Sequence, residues 1–331
     1  MLTNRSTLRS LLAATTLVAA SCLITTAHAD PKASPAAAAP AKDFTPLAHV
    51  ETRGSGPEHL ILIPGLGADW TTFESFMTRN GERYTMHAVT LPGFGGSEPP
   101  PLREGSSYED GAWLANAEKA VLALVKEKQL QKPTLVGHWL GGHVAIRLIA
   151  NNPGVFARAV SIDGYPALAM STPDHGGEAT REDRLEIVRE FIAPSMERED
   201  LSKQLKAHLR GMVTNPERAE ALGSMVGSTP NTTLTRYALE MSASDTMPKL
   251  KTLTTPLLII AAIPDDAVVP SEEMREGMRD RWRELLKGVP NTTLVFFEST
   301  RLFVTEDAPA DLDAAVASFA AGKTVAGRAR S

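Results

Sequence analysis

The stretch Thr134–Arg147 constrains the fold of this chain more than any other. A short β-rich run leads into the sequence GHWLGG, Gly137–Gly142, and apolar residues at helical spacing follow. Glycines on both sides of a central residue let a strand and a helix approach closely while that residue keeps a strained backbone conformation. The pattern predicts a sharp strand-to-helix turn with Trp139 at its apex.

The rest of the chain alternates apolar strand patterns with helical patterns. The predicted strands are Leu47–Thr52, His59–Ile63, Tyr84–Val89, Thr134–Val136, Val155–Asp163, Pro256–Ala262 and Thr292–Phe297. Continuous apolar strands such as His59–Ile63 are typical of a parallel sheet that is covered on both faces. Regular alternation of this kind predicts an α/β fold, with a mostly parallel central sheet flanked by helices.

One long segment, residues 166–245, interrupts the alternation. It is charged, has helical patterns and contains no convincing core strand. We therefore predict a helical lid at 166–245, inserted into an α/β core formed by 44–165 and 246–320. Residues 321–331 lack such patterns and are expected to be a flexible tail.

Residues 1–29 have the pattern of a signal peptide. Arg5 and Arg9 give a positive start, Leu11–Ala20 is apolar, and small residues precede a cleavage site after Ala29. The apolar run is too short for an integral membrane span. We expect an exported protein, periplasmic or secreted.

The residues next to this signal refine the expectation. Lipid attachment at Cys22 is the less favoured alternative, because Ala19 stands where such sites usually have a large aliphatic residue. Cys22 is the only cysteine, so cleavage leaves no disulfide. Residues 30–43 are rich in Ala and Pro, which predicts a linker.

Composition argues against several classes of partner. The net charge is −5, and signal cleavage removes two arginines and no acid, so nucleic-acid and anionic-membrane partners are disfavoured. The glycines at 93–96 precede no helix of a nucleotide-binding unit. No metal-type cluster accompanies His138 and His143. We predict no cofactor and no metal, and the oligomeric state stays open.

Several motifs together carry a family resemblance. They are Pro64–Leu66, Leu91–Ser97, Gly137–Gly142, Asp266–Pro270 and Arg301–Pro309. In this order they resemble the α/β-hydrolase family of esterases and lipases, over roughly 54–320. The resemblance implies a Ser-Asp-His triad and an oxyanion hole formed by two backbone N–H groups. It places the nucleophile at Trp139, the acid at Asp266, the base at Arg301 and the oxyanion N–H groups at Leu66 and Leu140.

Two of the three triad positions hold residues that cannot perform the chemistry. The indole of Trp139 offers an N–H and no nucleophile. The guanidinium of Arg301 is permanently protonated and cannot accept a proton. None of the eight histidines follows Asp266, so no other base is available in the family's chain order. We predict a pseudoenzyme that is inactive as a serine hydrolase.

Alternatives remain at the nucleophile and base positions. Trp139 is interpreted as a plug that fills the old cleft, and the alternative is an aromatic platform for a small-molecule ligand. Arg301 is expected to form an ion pair with Asp266. A less favoured alternative is an anion site formed by Arg301 with the N–H groups of Leu66 and Leu140.

Neighbouring polar residues are interpreted as structural. Asp163 could be a second acid, but a hydrogen-bonded loop residue is preferred, and Asp265 is expected to be solvated. His138 and His143 are interpreted as packing or hydrogen-bonding residues. The alternative function is an active esterase-like hydrolase that uses residues the sequence does not identify.

Overall fold

The computed structural model describes residues 44–168, 180–196, 201–209 and 211–329. The predicted signal peptide and linker, with Cys22 and the cleavage position after Ala29, lie outside the described residues. In the part of the chain that is described, no helix is both long and apolar enough to cross a membrane.

Seven strands form one sheet. They are β1 (His49–Arg53), β2 (Glu58–Ile63), β3 (Tyr84–Thr90), β4 (Thr134–His138), β5 (Arg158–Ile162), β6 (Leu257–Ile263) and β7 (Thr292–Glu298). Their spatial order is β1-β3-β2-β4-β5-β6-β7. β1 runs antiparallel to β3, and every other neighbouring pair is parallel. The predicted α/β fold with a mostly parallel sheet is therefore confirmed.

Helices cover the sheet and also fill the long interval between β5 and β6. The described α-helices are α1 (Glu74–Asn80), α2 (Ala112–Glu127), α3 (Leu140–Asn151), α4 (Arg181–Ile187), α5 (Ala193–Met196), α6 (Leu201–Leu209), α7 (Pro216–Gly227), α8 (Asn231–Ala243), α9 (Met247–Leu250), α10 (Glu272–Leu285), α11 (Val304–Asp307) and α12 (Pro309–Ala320). A π-helical turn, Val188–Ile192, joins α4 to α5.

The centre of the sheet is fully buried. Every residue of β4 and of β6 is buried, as expected for parallel strands with helices on both faces. β4 pairs with β2 on one side and with β5 on the other, so its carboxyl end lies at the middle of one sheet edge. The turn between β4 and α3 is therefore held from both sides.

The helices α4 to α8 form a segment inserted between β5 and β6, and we call it the inserted segment. An antiparallel bridge between Ala167 and Asp245 closes its base. Its helix α8 is fixed to the core by Glu240, whose carboxylate accepts hydrogen bonds from the N–H groups of Trp113 and Leu114 at 2.8 and 2.9 Å. These two donors begin α2, so the carboxylate satisfies N–H groups that a helix start leaves free.

The tail after α12 is attached to the sheet at one residue. Arg328 forms a parallel bridge with Phe297, donating its N–H to the Phe296 carbonyl at 3.0 Å and accepting from the Glu298 N–H at 3.1 Å. The expected flexible tail thus contains a residue that pairs with β7.

Candidate functional site

The turn between β4 and α3 has a strained apex. Trp139 has φ 48° and ψ −108°, in the region that favours glycine. Its N–H donates to the Ile162 carbonyl at 2.7 Å, and its carbonyl accepts from the His143 N–H at 2.9 Å. Such a conformation costs on the order of 1–3 kcal/mol and persists only when its surroundings fix it.

The glycines around the apex let three chain segments touch. A Cβ on Gly141 would overlap the Ile63 carbonyl at the end of β2, and a Cβ on Gly137 would overlap the Gly141 carbonyl. The strand and the helix can therefore adopt this spacing only without side chains at these positions.

The side chain at the apex packs against the core. Trp139 is half-buried and packs against the main hydrophobic core. A Cβ on Gly65 would lie 3.6 Å from the Trp139 Cβ, so the Pro64–Leu66 loop and the apex adjoin. The structure brings these two predicted parts of the site together.

The two residues predicted to supply the oxyanion N–H groups lie next to the apex. Leu66 follows β2 in this loop, Leu140 is the first residue of α3, and both side chains are buried. Neither N–H donates a hydrogen bond within the described residues.

The predicted acid is exposed and pairs with an arginine of α10. Asp266 lies in the loop after β6, its side chain is 65% exposed, and its carboxylate is 2.9 Å from Nη1 of Arg275 on α10. Arg275 is almost completely buried, so its guanidinium gives this carboxylate a fixed partner.

The ion pair of Arg301 differs from the expected one. Its Nη2 lies 3.2 Å from Oδ2 of Asp265, one residue before the expected Asp266. Asp266 pairs instead with Arg275 of α10, which leaves Asp265 as the carboxylate that meets Arg301. The interpretation of Asp265 as a solvated neighbour is therefore wrong, because it is the ion-pair partner of Arg301.

Arg301 also contacts the inserted segment. Its Nη1 donates to the Val213 carbonyl at 3.2 Å, and its Nε is buried without a partner in the described part of the chain. The guanidinium therefore lies between the loop after β6 and residue 213. Its contacts are those of a structural cross-link.

Sequence reasoning missed Leu302 as a second candidate for the base position. Nε2 of His138, next to the apex, donates to the Leu302 carbonyl at 2.9 Å. The Leu302 side chain packs against the same hydrophobic core as Trp139. In the terminal motif of the family, the base stands five residues before a glutamate that is not the triad acid. Arg301 with Glu306 has this spacing, and Leu302 with Asp307 has it with an aspartate. An alkyl side chain accepts no proton either.

The two histidines near the turn are neutral. Burial lowers the pKa of His138 and of His143 to about 4. Nδ1 of His143 donates to the Tyr165 carbonyl at 2.5 Å, and its Nε2 is buried without a partner among the described residues. Both rings are therefore fixed by hydrogen bonds, in agreement with the structural interpretation.

Asp163 behaves as a structural residue. It has φ 52°, and its Oδ1 accepts from the Ala262 N–H at 2.9 Å, which ties the end of β5 to β6. Burial raises the pKa of Asp163 to about 8. At neutral pH the carboxyl is mostly protonated and cannot act as the anionic partner of a base.

The residues around the apex form no metal cluster and line neither of two surface cavities. In the described part of the chain, no three His, Cys, Asp or Glu residues are arranged to hold a metal ion. The larger of the two cavities, about 720 Å³, is bordered by Asp265, Asp266, Glu306 and Asp307. Trp139 lines neither of them.

A mostly parallel sheet whose central strand ends in this glycine-flanked turn defines an α/β-hydrolase-type protein. Residues 60–313 match the alpha/beta hydrolase family, which is more than half of the chain. The chain belongs to the alpha/beta hydrolase family.

Curated relatives are esterases and hydrolases. The chain is 36% identical over 117 residues to a pimeloyl-[acyl-carrier protein] methyl ester esterase from Aeromonas salmonicida, which covers 35% of this chain and 41% of that protein. It therefore spans about two fifths of the length of that relative. A 2-hydroxy-6-oxononadienedioate/2-hydroxy-6-oxononatrienedioate hydrolase from Cupriavidus pinatubonensis is 24% identical over 265 residues, 75% of this chain and 82% of that protein.

Solved structures share the fold. An esterase from Rhodococcus sp. superposes with a TM-score of 0.60 at 21% identity, covering 83% of this chain and 94% of that one. An enol-lactonase from Burkholderia xenovorans also has a TM-score of 0.60, at 16% identity, over 82% of this chain and 96% of its own. At these identities the likeness concerns the fold.

Proposed function

We propose that this protein is an α/β hydrolase that has lost serine-hydrolase activity. The observation that carries the proposal is Trp139 at the apex of an otherwise preserved turn, because an indole cannot attack a carbonyl. Loss of the nucleophile alone costs on the order of 10⁶-fold in turnover in a serine protease.

The environment of the base position supports the same conclusion independently. Whether that position is Arg301 or Leu302, neither side chain accepts a proton. The single retained acid, Asp266, pairs with Arg275. The two preserved oxyanion donors alone give only a small part of the rate enhancement that a complete triad provides.

The proposal extends to the substrate space. Trp139 is half-buried against the core, and the inserted segment packs on the loop that follows Leu66. These contacts favour an indole that fills the old cleft over an open small-molecule site. The alternative, an active esterase-like hydrolase, is motivated by the curated relatives, so ester hydrolysis is the activity to measure.

Reconstruction of the triad tests the proposal most directly. We expect no turnover of a short-chain p-nitrophenyl ester above background by the purified wild type. We expect Trp139→Ser combined with Leu302→His to exceed Trp139→Ser alone by about 10²-fold, because a general base contributes about that much. Trp139→Ser combined with Arg301→His is the matched variant, and it tests Arg301 as the base position.

Each result of this experiment has one meaning. Wild-type turnover overturns the proposed inactivity if it persists through repeated purification and no contaminant control accounts for it. Failure of both double variants, with folding verified by circular dichroism, overturns the assignment of the old site. Activity in one double variant and not in the other identifies the base position.

We also propose export of the protein to the periplasm or the medium. The pattern of residues 1–29 supports this, through its basic start, apolar middle and small residues before Asp30. Expression of the full chain in a Gram-negative host, followed by fractionation and N-terminal sequencing, is expected to give a chain that starts at Asp30. A lipid-modified chain starting at Cys22 would support the alternative, and an intact cytoplasmic chain would refute export.

A further inference from the structure

The inserted segment rests directly on the neighbourhood of the apex. The Thr229 hydroxyl lies 3.5 Å from the Gly67 carbonyl, in the loop after Leu66. A Cβ on Gly67 would meet Leu234 of α8 at 2.8 Å and Val226 of α7 at 3.0 Å. The helices α7 and α8 therefore cover this loop without space for another side chain.

A second set of contacts holds the other end of α7. The segment 301–307, which includes both candidates for the base position and the short helix α11, forms hydrogen bonds with backbone groups of residues 212–214. Phe303 N–H donates to the Met212 carbonyl at 3.3 Å, and the Thr214 N–H donates to Oδ1 of Asp307 at 2.8 Å. With the bond from Arg301 to the Val213 carbonyl, three successive residues of the inserted segment are bonded.

An ion pair completes this contact. Arg218, in the first turn of α7, donates from Nε and Nη2 to the two carboxylate oxygens of Glu306, at 3.0 and 2.7 Å. The Glu306 side chain is only 12% exposed, and that of Arg218 is 43% exposed. The Glu306 carboxylate raises the pKa of Arg218. A two-pronged pair of this kind fixes direction as well as distance.

We propose that segment 301–307 is a latch that keeps the inserted segment closed over the apex, and we call its contacts with residues 212–218 the lid latch. The proposal rests on the proposed function only in treating the inserted segment as the lid of a former active site. A segment that does not have to present a catalytic base to a substrate can form such bonds. Closure is then the resting state, and opening requires that the Arg218–Glu306 pair breaks.

Hydrogen–deuterium exchange of the full chain tests the latch. We expect Glu306→Gln to raise the exchange rate of amides in 212–227 by about three- to tenfold, because a partly exposed bidentate pair is lost. The amides of loop 64–70 should exchange faster as well, since α7 covers them. Exchange in β4 and β6 should not change.

Two further variants make the test specific. Glu217→Gln also removes one carboxylate charge, from the first turn of α7 beside Arg218. Glu217 forms no ion pair in the described part of the chain, so amide exchange in this variant is expected to match wild type. Arg218→Glu combined with Glu306→Arg reverses the pair, and we expect it to restore slow exchange that each single reversal loses.

The outcomes separate this proposal from the proposed inactivity. Equal exchange in wild type and Glu306→Gln, or an equal rise in Glu217→Gln, overturns the latch. Ester turnover by the wild type would overturn the inactivity and leave the exchange result unaffected.

Discussion

At the scale of single residues, the apex is the most informative position. Trp139 keeps the positive φ that the turn imposes, although an indole is not a nucleophile. The strained φ therefore comes from the backbone of the turn and not from the side chain at residue 139. It is retained because glycines and flanking strands fix the turn from both sides.

This strain makes an unusual prediction at residue 139. We expect Trp139→Gly to be more stable than Trp139→Ala by about 1–2 kcal/mol in the free energy of unfolding, because both lose the indole packing and only glycine relieves the backbone. Urea unfolding measures the difference. Arg147, inside α3, is the control position. There the alanine variant should be more stable than the glycine variant by about 1 kcal/mol. An alanine variant as stable as the glycine variant at position 139 would contradict the strain.

The identities of Trp139 and Asp266 can be read from the sequence, whereas their surroundings cannot. The family motifs predict an ion pair of Arg301 with Asp266, whereas Arg301 pairs with Asp265. Asp266 pairs with Arg275 of α10, a contact that no spacing motif reveals. The bond from His138 to the Leu302 carbonyl likewise links residues far apart in the sequence.

At the scale of elements, local pattern predicts helices and strands well. The helical pattern predicted in 166–245 is observed in part as the helix Pro216–Gly227, and the predicted strand Pro256–Ala262 is observed as Leu257–Ile263. Both have strong start signals: Asn215 caps the first, and Pro256 precedes the second. The strand expected from Val155 begins only at Arg158, because the residues before it form a turn after α3.

Docking between elements is the part that the sequence leaves open. The inserted segment is attached by contacts of high sequence separation, such as Arg218 with Glu306 and Glu240 with the start of α2. Charged residues spaced along an amphipathic helix do not reveal which distant partner each one meets. The lid latch therefore became visible only in the structure.

At the scale of the whole molecule, buried titratable groups set the pH dependence of stability. The pKa values of His138, His143 and His87 are lowered to about 4 by burial. In the unfolded chain these histidines bind a proton near pH 6.5, whereas in the folded state they stay neutral down to about pH 4. The free energy of unfolding is therefore undiminished by them above pH 6.5 and falls as the pH drops towards 4.

Asp163 acts in the opposite direction. Its pKa is raised to about 8, so the folded state holds a proton that the unfolded state releases above pH 4. The stabilisation by protonated Asp163 is complete below the pKa that an aspartate has in the unfolded chain, and it is lost as the pH rises towards 8. From these groups together, we expect maximum stability near pH 6.5, with a steep acid side.

Urea unfolding across this pH range checks the expectation. Asp163→Asn keeps an oxygen for the Ala262 N–H and removes the titration, so it should abolish the fall in stability that the wild type shows between pH 7 and 8. That slope stays below about 1.4 kcal/mol per pH unit, the value for one full proton. An unchanged slope in Asp163→Asn would contradict the assignment of the buried proton to this carboxyl.

The pairing of Arg328 with β7 has a consequence for solution behaviour. β7 is the last strand of the sheet, and an unpaired outer strand offers its backbone groups to any neighbouring chain. Arg328 occupies two of these groups, at Phe296 and Glu298. The tail thereby shields part of the open border of the sheet and lowers the tendency of two molecules to join strand to strand and aggregate.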